Sequence, residues 1–213
     1  MAIRIWGRAT SVNVQKVTWA LAELEVPYER IDAGGHYGGL DKPEFLAMNP
    51  NARVPVLEHD GLVVFESNAI VRHLSRAFGA GSLLPDDEAG LAIADQWMDW
   101  QATTLSPAVT AVFIEAVRKP PSQRSAEKLA ALAGDLGNVM KIADARLAES
   151  PNLCGERLST GDIPVAAMLY RYYDMAIDRP SLPALERWYG ELSRRPTYSA
   201  TVMVDYSSLA GKD

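Results

Sequence analysis

Thr10, Ser11 and Asn13 bring two hydroxyls and a carboxamide together where a strand-like run, Ile3 to Trp6, gives way to a helical pattern. The first turn of a helix leaves its backbone N–H groups without intrahelical partners, and the aligned peptide dipoles add positive potential there. A thiolate held at such a point is stabilised, so its pKa falls below the ordinary value of about 8.5. The Ser11 hydroxyl and the Asn13 NH2 group can each donate to that sulfur, with Thr10 as a neighbouring competitor. The structural alternative is that Ser11 is an N-cap, a common role for serine. Farther along, Glu66-Ser67-Asn68 opens a second helical stretch. Ser67 reads as its N-cap, and a helix N-terminus is also a ready site for a carboxylate. Arg53, beside a turn, is either a surface arginine or a cation within reach of a bound carboxylate.

These groups depend on elements that the pattern makes visible. After the first strand, Val14, Val17, Leu21 and Leu24 share one helix face, which starts near Ser11 and stops at Val26-Pro27. Tyr28 to Ile31 reads as a second strand, residues 34–39 as a glycine-rich loop, and Pro43 to Met48 as a short helix. Asn49-Pro50-Asn51 signals a turn, and Val54-Pro55 leads into the apolar pair Val56-Leu57. A proline there removes a backbone donor, which a strand accepts only at an edge or for a purpose. Asp60-Gly61 predicts a two-residue hairpin turn, since both central residues of a type I′ turn need positive φ. Leu62 to Phe65 completes the hairpin and the Ser67 helix follows, giving the order β-α-β-α-β-β-α to about Gly79. Residues 80–87 (AGSLLPDD) read as a linker.

The remainder, 88–213, is helical in pattern. Ala89 to Val117 is one long segment that Pro107 should kink or divide. Pro120-Pro121 forces a turn between Arg118 and Ser125, and helices are predicted over Ala126–Ala148, Ile163–Ala176 and Leu185–Leu192. Ser159-Thr160-Gly161-Asp162 is a capping box with aspartate in place of glutamate, and Asp162 reads as structural. Trp97 and Trp100 suit core packing, and at least one of Tyr170, Tyr172 and Tyr173 should face the core.

Bulk properties narrow the function. The 213 residues carry a formal net charge of −6 and a pI of about 5.1, which argues against nucleic-acid or anionic-membrane binding. No apolar run approaches the roughly 18 residues of a membrane span, and the N-terminus lacks a signal-peptide core. A single cysteine, Cys154, excludes an internal disulfide, and His36, His59 and His73 show no metal-ligand spacing. The expectation is a reduced, cytoplasmic, metal-free protein.

The segments Ser11-x-Asn13-x-x-Lys16-Val17 and Arg53-Val54-Pro55, with the hairpin running into Glu66-Ser67, together resemble the cytosolic glutathione S-transferases, in particular the bacterial theta-like or nu-like members. The resemblance implies a thioredoxin-like α/β domain over 1–79, the linker, and an all-α domain over 88–213 that holds the hydrophobic substrate site. It implies glutathione as co-substrate and a homodimer. Ser11 and Asn13 would activate the thiol. Thr10, Lys42, Arg53, Val54, a cis Pro55, Glu66 and Ser67 would bind glutathione, with Ser67 on the γ-glutamyl carboxylate and Glu66 on its ammonium. The thiolate would attack a small hydrophobic electrophile. Related activities compatible with the same residues are disulfide reduction or peroxide reduction, and binding without turnover.

Three departures stand out. The histidine and lysine that many family members place before the second helix are replaced by Leu40 and Asp41, with Lys42 one position along. The catalytic tyrosine of other classes is absent, Gly7-Arg8 standing at the end of the first strand. The catalytic cysteine of the beta and omega classes is also missing. In the second half, residues 95–105 resemble the theta-class helix that faces both the partner subunit and the hydrophobic site.

Overall fold

The computed structural model describes residues 2–213. Four strands form one mixed sheet: β1 (Ile3–Trp6), β2 (Glu29–Ile31), β3 (Val56–His59) and β4 (Leu62–Phe65), in the order β2-β1-β3-β4. β1 and β2 run parallel, joined by helix α1 (Val12–Glu23), while β3 is antiparallel to both β1 and β4. The period-two pattern of a strand divides its side chains between two faces. Ile3 and Ile5 are buried with Val14, Val17 and Leu21 of α1 and with Ile70 and Leu74 of α3 (Ser67–Phe78). Trp6 and Val56 turn to the opposite face, against Phe45 of α2 (Pro43–Met48). The result is the thioredoxin-like arrangement expected. At the hairpin, Asp60 and Gly61 take φ of 47° and 89°, as the type I′ turn demands.

The C-terminal half is helical: α4 (Glu88–Trp100), α5 (Ser106–Phe113), α6 (Ala126–Glu149), α7 (Asp162–Asp174), α8 (Pro183–Ser193) and α9 (Pro196–Thr201). At Pro107 the helical run is divided without ending. A π-helical turn over Gln101–Leu105 precedes the proline, and a second, Ile114–Arg118, follows α5, so the chain is helical from 88 to 118. Proline cannot supply the usual i→i−4 hydrogen bond, and a widened turn re-pairs the backbone around that loss without ending the helix. The sequence pattern also missed α9, which is too short for periodicity to register. Residues 80–87 are pinned down. Leu83 is buried, its carbonyl accepts from Thr160 N (2.9 Å), and Arg157 reaches the Leu84 carbonyl (3.1 Å) and Asp86 (2.7 Å).

One continuous apolar core runs through both halves, with α1 at its centre. Trp19 of α1 meets Tyr198 of α9 edge-to-face at 5.0 Å, and Glu23 pairs with Arg195 at 2.5 Å. Burial opposes ionisation of Glu23, but hydrogen bonds from Arg195, Thr197 and Trp19 prevail and lower its pKa. From α3, Arg72 bridges Asp95 (2.5 Å) and Asp99 (2.7 Å) of α4, and Asn68 donates to the Met98 carbonyl (2.8 Å). Tyr172 and Trp97 are core residues, and Trp100 stacks edge-on against Trp97 at 5.2 Å.

Asp162 organises the entry to α7. Its two carboxylate oxygens accept from Leu153 N (2.8 Å), Ser159 N (2.8 Å) and Ser159 Oγ (3.0 Å). Only half of a capping box forms, because the serine hydroxyl donates to the carboxylate instead of accepting from the helix. Complete burial raises the Asp162 pKa to about 6, against those hydrogen bonds. Asp162→Ala strands two buried N–H groups, each costing about 1–3 kcal/mol. A destabilisation of about 3 kcal/mol is therefore expected by urea unfolding, and a loss under about 1 kcal/mol would refute this role.

Candidate functional site

A cavity of about 440 Å³ opens between the two halves. This size suits a small-molecule ligand. One wall is built by the β1–α1 corner, with Arg8, Thr10, Ser11, Val12 and Asn13. A second comes from Arg53 and Val54, at the start of β3, with Leu40. The third belongs to the helical half: Val109, Thr110 and Phe113 of α5, Ile114 and Arg118 beyond it, and Met168 and Arg171 of α7. Residues 95–105 do not line it. The cavity-facing side chains lie one to three turns later along the same helical run, while Asp95, Asp99 and Gln101 bond to the first half.

The β1–α1 corner is set by Gly7, whose φ is +150° and whose Cα approaches its neighbours so closely that a Cβ would fall 2.4 Å from Val14 and 3.1 Å from Val54. Any side chain here would push the corner away from Val54. The Val54-Pro55 peptide is cis, as the family resemblance implied. Ser11 occupies the N-cap position of α1 with extended backbone (φ −86°, ψ 119°), and its carbonyl accepts from Gln15 N at 2.9 Å. Its hydroxyl caps nothing: no first-turn N–H is bonded to it. The side chain instead lines the cavity, where the free N–H groups of α1 and their dipole also converge. Thr10 contributes its carbonyl as well, which accepts from Arg171 at 2.6 Å and ties this corner to α7.

Asn13 links the corner to the start of α3, its Oδ1 lying 3.5 Å from the Ser67 hydroxyl. Ser67 is the first helical residue of α3 and not its N-cap, which is Glu66. Glu66 holds φ at 71°, a left-handed conformation that few non-glycine residues adopt. It is exposed beside the buried Ser67. Lys42 stands exposed at the start of α2, outside the cavity, whereas Leu40 lines it. Of the expected residues, Thr10, Ser11, Asn13, Arg53 and Val54 therefore share one cavity, with Ser67 joined to it through Asn13, while Glu66, Lys42 and Pro55 are not among the residues that line it.

Sequence reasoning quoted Lys16 within the Ser11 segment but gave it no role. Its ammonium is buried between α1, α3 and the first π turn, and donates to Gln101 Oε1 (2.9 Å), Ser67 Oγ (3.3 Å) and Asn68 Oδ1 (3.3 Å). All three partners are neutral. Burial pulls its pKa down to about 7, with Glu66 acting in the opposite sense. The available signal was a lysine flanked by Gln15 and Val17 in a helix too apolar to have a wide solvent face. Arg8, Arg118 and Arg171 were also missed as a group, since positions so far apart in the chain carry no local pattern. Cys154 is half-buried away from the cavity, and burial raises its thiol pKa well above the ordinary value.

A thioredoxin-like sheet with a cis proline leading into β3, a hydroxyl freed from capping at the N-terminus of α1, and a helical domain closing the cavity define a two-domain protein with a small-molecule site between its halves. Its relatives are specific about the class. Residues 1–76 match the glutathione S-transferase N-terminal domain model and residues 105–196 the C-terminal one, and the chain belongs to the glutathione S-transferase family. It is 39% identical over 207 residues to glutathione S-transferase GstB of Escherichia coli K12, covering 96% of this chain and all of that protein. It is 32% identical to glutathione S-transferase 4 of Zea mays, over 92% of this chain and 89% of the other. Among solved structures, the theta class glutathione S-transferase of Xanthomonas axonopodis pv. citri with glutathione bound superposes with a TM-score of 0.92 at 42% identity, covering 96% of this chain and 98% of that one.

The lowered pKa of Lys16 gives a pH test. Between about pH 7 and the ordinary lysine value of 10.5 the unfolded chain holds a proton at this position that the folded chain lacks. Stability from this group therefore rises with pH across that window and is lost as pH falls through 7. Lys16→Met removes the dependence and leaves acceptors without their donor. Relative to wild type it should be less stable at pH 9 than at pH 7 by about 1 kcal/mol or more. Equal differences in urea unfolding at the two pH values would refute the shift.

Proposed function

We propose that the cavity binds glutathione along the Val54 edge and the N-terminus of α3, activates its thiol at Ser11, and delivers the thiolate to a small electrophile held against Val109, Phe113 and Met168. The observation that carries this reading is the Ser11 hydroxyl, placed at a helix N-terminus and left free of capping. In this reading the γ-glutamyl carboxylate meets Ser67 and the α3 N-terminus, Glu66 takes the ammonium, and the Val54 backbone pairs with the cysteinyl unit as an added strand would. Arg53 and Lys42 are assigned to the glycyl end. Ser11 donates to the sulfur, and Asn13 supplies a second donor from the first turn of α1. The thiol proton leaves to solvent, the sulfur bonds to the electrophilic carbon, and the leaving group departs with its electron pair. The protein contributes position and electrostatic stabilisation, the nucleophile being the co-substrate's own.

We assign the domains as 1–79 and 88–213 with 80–87 between them, and place the protein in the cytoplasm with a role in detoxification. We further propose a two-fold homodimer. The edge strand β4 exposes Leu62, Val63 and Phe65, and α4 exposes Ile93. These apolar groups suit burial against a second copy, and closed two-fold dimers are the commonest oligomers. Sedimentation at micromolar concentration should give a mass twice the 23.2 kDa of the chain; a monomer would count against the assignment.

The thiol assignment is tested by titrating the ultraviolet absorbance of bound thiolate against pH. Ser11→Ala should raise the bound-thiol pKa and slow turnover on the order of a hundredfold, since one such donor contributes about 2.7–4 kcal/mol. Asn13→Ala should have the smaller effect. An unchanged pKa in Ser11→Ala with a shift in Asn13→Ala would reverse the two roles. Ser67→Ala should weaken glutathione binding by about 1.5–3 kcal/mol in calorimetry, and unchanged affinity would remove Ser67 from the site.

A further inference from the structure

Three arginines from three separate segments line the cavity, from both of its halves: Arg8 after β1, Arg118 at the end of the second π turn, and Arg171 on α7. No aspartate or glutamate is among the described residues that line the cavity, and none of the three arginines forms an ion pair with a described carboxylate. Acids on the neighbouring helical elements are engaged elsewhere. Glu115 is turned away to Lys119 (2.7 Å) and Ser125 N (2.9 Å), and Asp174 accepts from the Tyr206 hydroxyl (2.5 Å). In a chain of net charge −6, uncompensated cations are not the background.

The cluster is built, not incidental. Arg171 is only 6% exposed; it donates to the Thr10 carbonyl and lies over the Phe113 ring at 4.4 Å and the Tyr206 ring at 5.5 Å. Its Nε is buried without a partner, and so is the Nε of Arg8. The Arg8 side chain lies along Gly34 and Gly35, where a Cβ would come within 3.2 Å and 3.1 Å of it. Burial lowers the Arg171 pKa to about 10, and repulsion from Arg118 and Arg8 adds to this. Even so lowered, Arg171 is a cation at neutral pH. Arg171 is buried, Arg8 half-buried and Arg118 exposed at the rim; the buried charge of Arg171 lacks an anionic partner, which is costly, and that cost is recovered when an anion binds.

We infer that the electrophilic substrate carries an anionic group, a carboxylate, which docks on Arg8, Arg118 and Arg171 while its apolar body rests on Val109, Phe113 and Met168 and its reactive carbon faces the sulfur at Ser11. This rests on the transferase reading above and goes on to specify the acceptor. Glutathione's own carboxylates are assigned elsewhere in that reading, to the α3 N-terminus and to Arg53 and Lys42.

Two probes of matched shape decide the matter: 4-chloro-3-nitrobenzoate and 4-chloro-3-nitrobenzamide. In both, the glutathione sulfur bonds to the ring carbon bearing chlorine, the C–Cl bond breaks, and chloride leaves with the electron pair; the carboxylate or amide is unchanged. Each kcat/KM is divided by the uncatalysed rate of the same compound with glutathione, which removes the difference in ring activation. The wild type should favour the carboxylate on the order of tenfold to a hundredfold, the discrimination that a charge-assisted hydrogen bond provides. Arg118→Gln should remove most of that ratio and Arg118→Lys should retain part of it; Arg118 is chosen because Arg171 also holds Thr10. A wild-type ratio near one, or a ratio unchanged in Arg118→Gln, overturns the proposal. Weaker glutathione binding in Arg118→Gln with the ratio intact would assign the arginines to glutathione itself and also overturns it. Absence of glutathione binding to the wild type in calorimetry would instead overturn the transferase reading on which the proposal rests.

Discussion

The burial of α1 on every side is the constraint from which the rest of the structure follows. Residues 14 to 21 of this helix are all buried, because the sheet and α3 cover one flank while α7 and α9 cover the other. A helix enclosed in this way has little freedom to slide or rotate without breaking close packing. Its N-terminus, with Ser11 and Asn13, is thereby held at one point in the cavity wall. Lys16 reinforces the placement. Its ammonium needs partners wherever it is buried, and it draws them from three elements at once: Ser67 and Asn68 of α3 and Gln101 of the first π turn. Helix α1, the start of α3 and the helical half are thus tied to one buried lysine.

The electrostatics of the cavity are distinct from those of the molecule. The surface is acidic overall, yet the cavity gathers four arginines and the positive end of α1 with no carboxylate among its described lining residues. Such a site favours negative charge wherever it develops or arrives, on a sulfur or on a bound acid. Its low-lying position between two domains strengthens each interaction relative to open water. The Arg171 bond to the Thr10 carbonyl makes the same cation structural, since it fixes the corner that presents Ser11.

The π turns serve the same geometry. The first, ending just before Pro107, places Gln101 against Lys16. The second ends at Arg118 and aims it into the cavity. A regular helix over the same residues would rotate these side chains to other bearings, because each extra residue in a turn shifts everything beyond it around the axis. The two irregularities set the cavity's helical wall as much as the residue types do.

Local information was enough for the order of elements, the hairpin at Asp60-Gly61, the strand-to-helix corner at Ser11 and the helix start near Ser67, because turn chemistry and periodicity act over a few residues. It also sufficed to nominate Thr10, Ser11, Asn13, Arg53 and Val54, which do meet in one cavity. It misjudged Ser67 as a cap and did not foresee the π turn beside Pro107, since both depend on how a backbone re-pairs its hydrogen bonds in context. Lys16, Arg8, Arg118 and Arg171 became legible only in three dimensions. A cation's meaning lies in what surrounds it, and those surroundings come from segments as far apart as Thr10 and Arg171. Residue type and spacing determined which segments could wall a cavity; tertiary packing decided which charges face it, because burial and long-range contact have no signature along the chain.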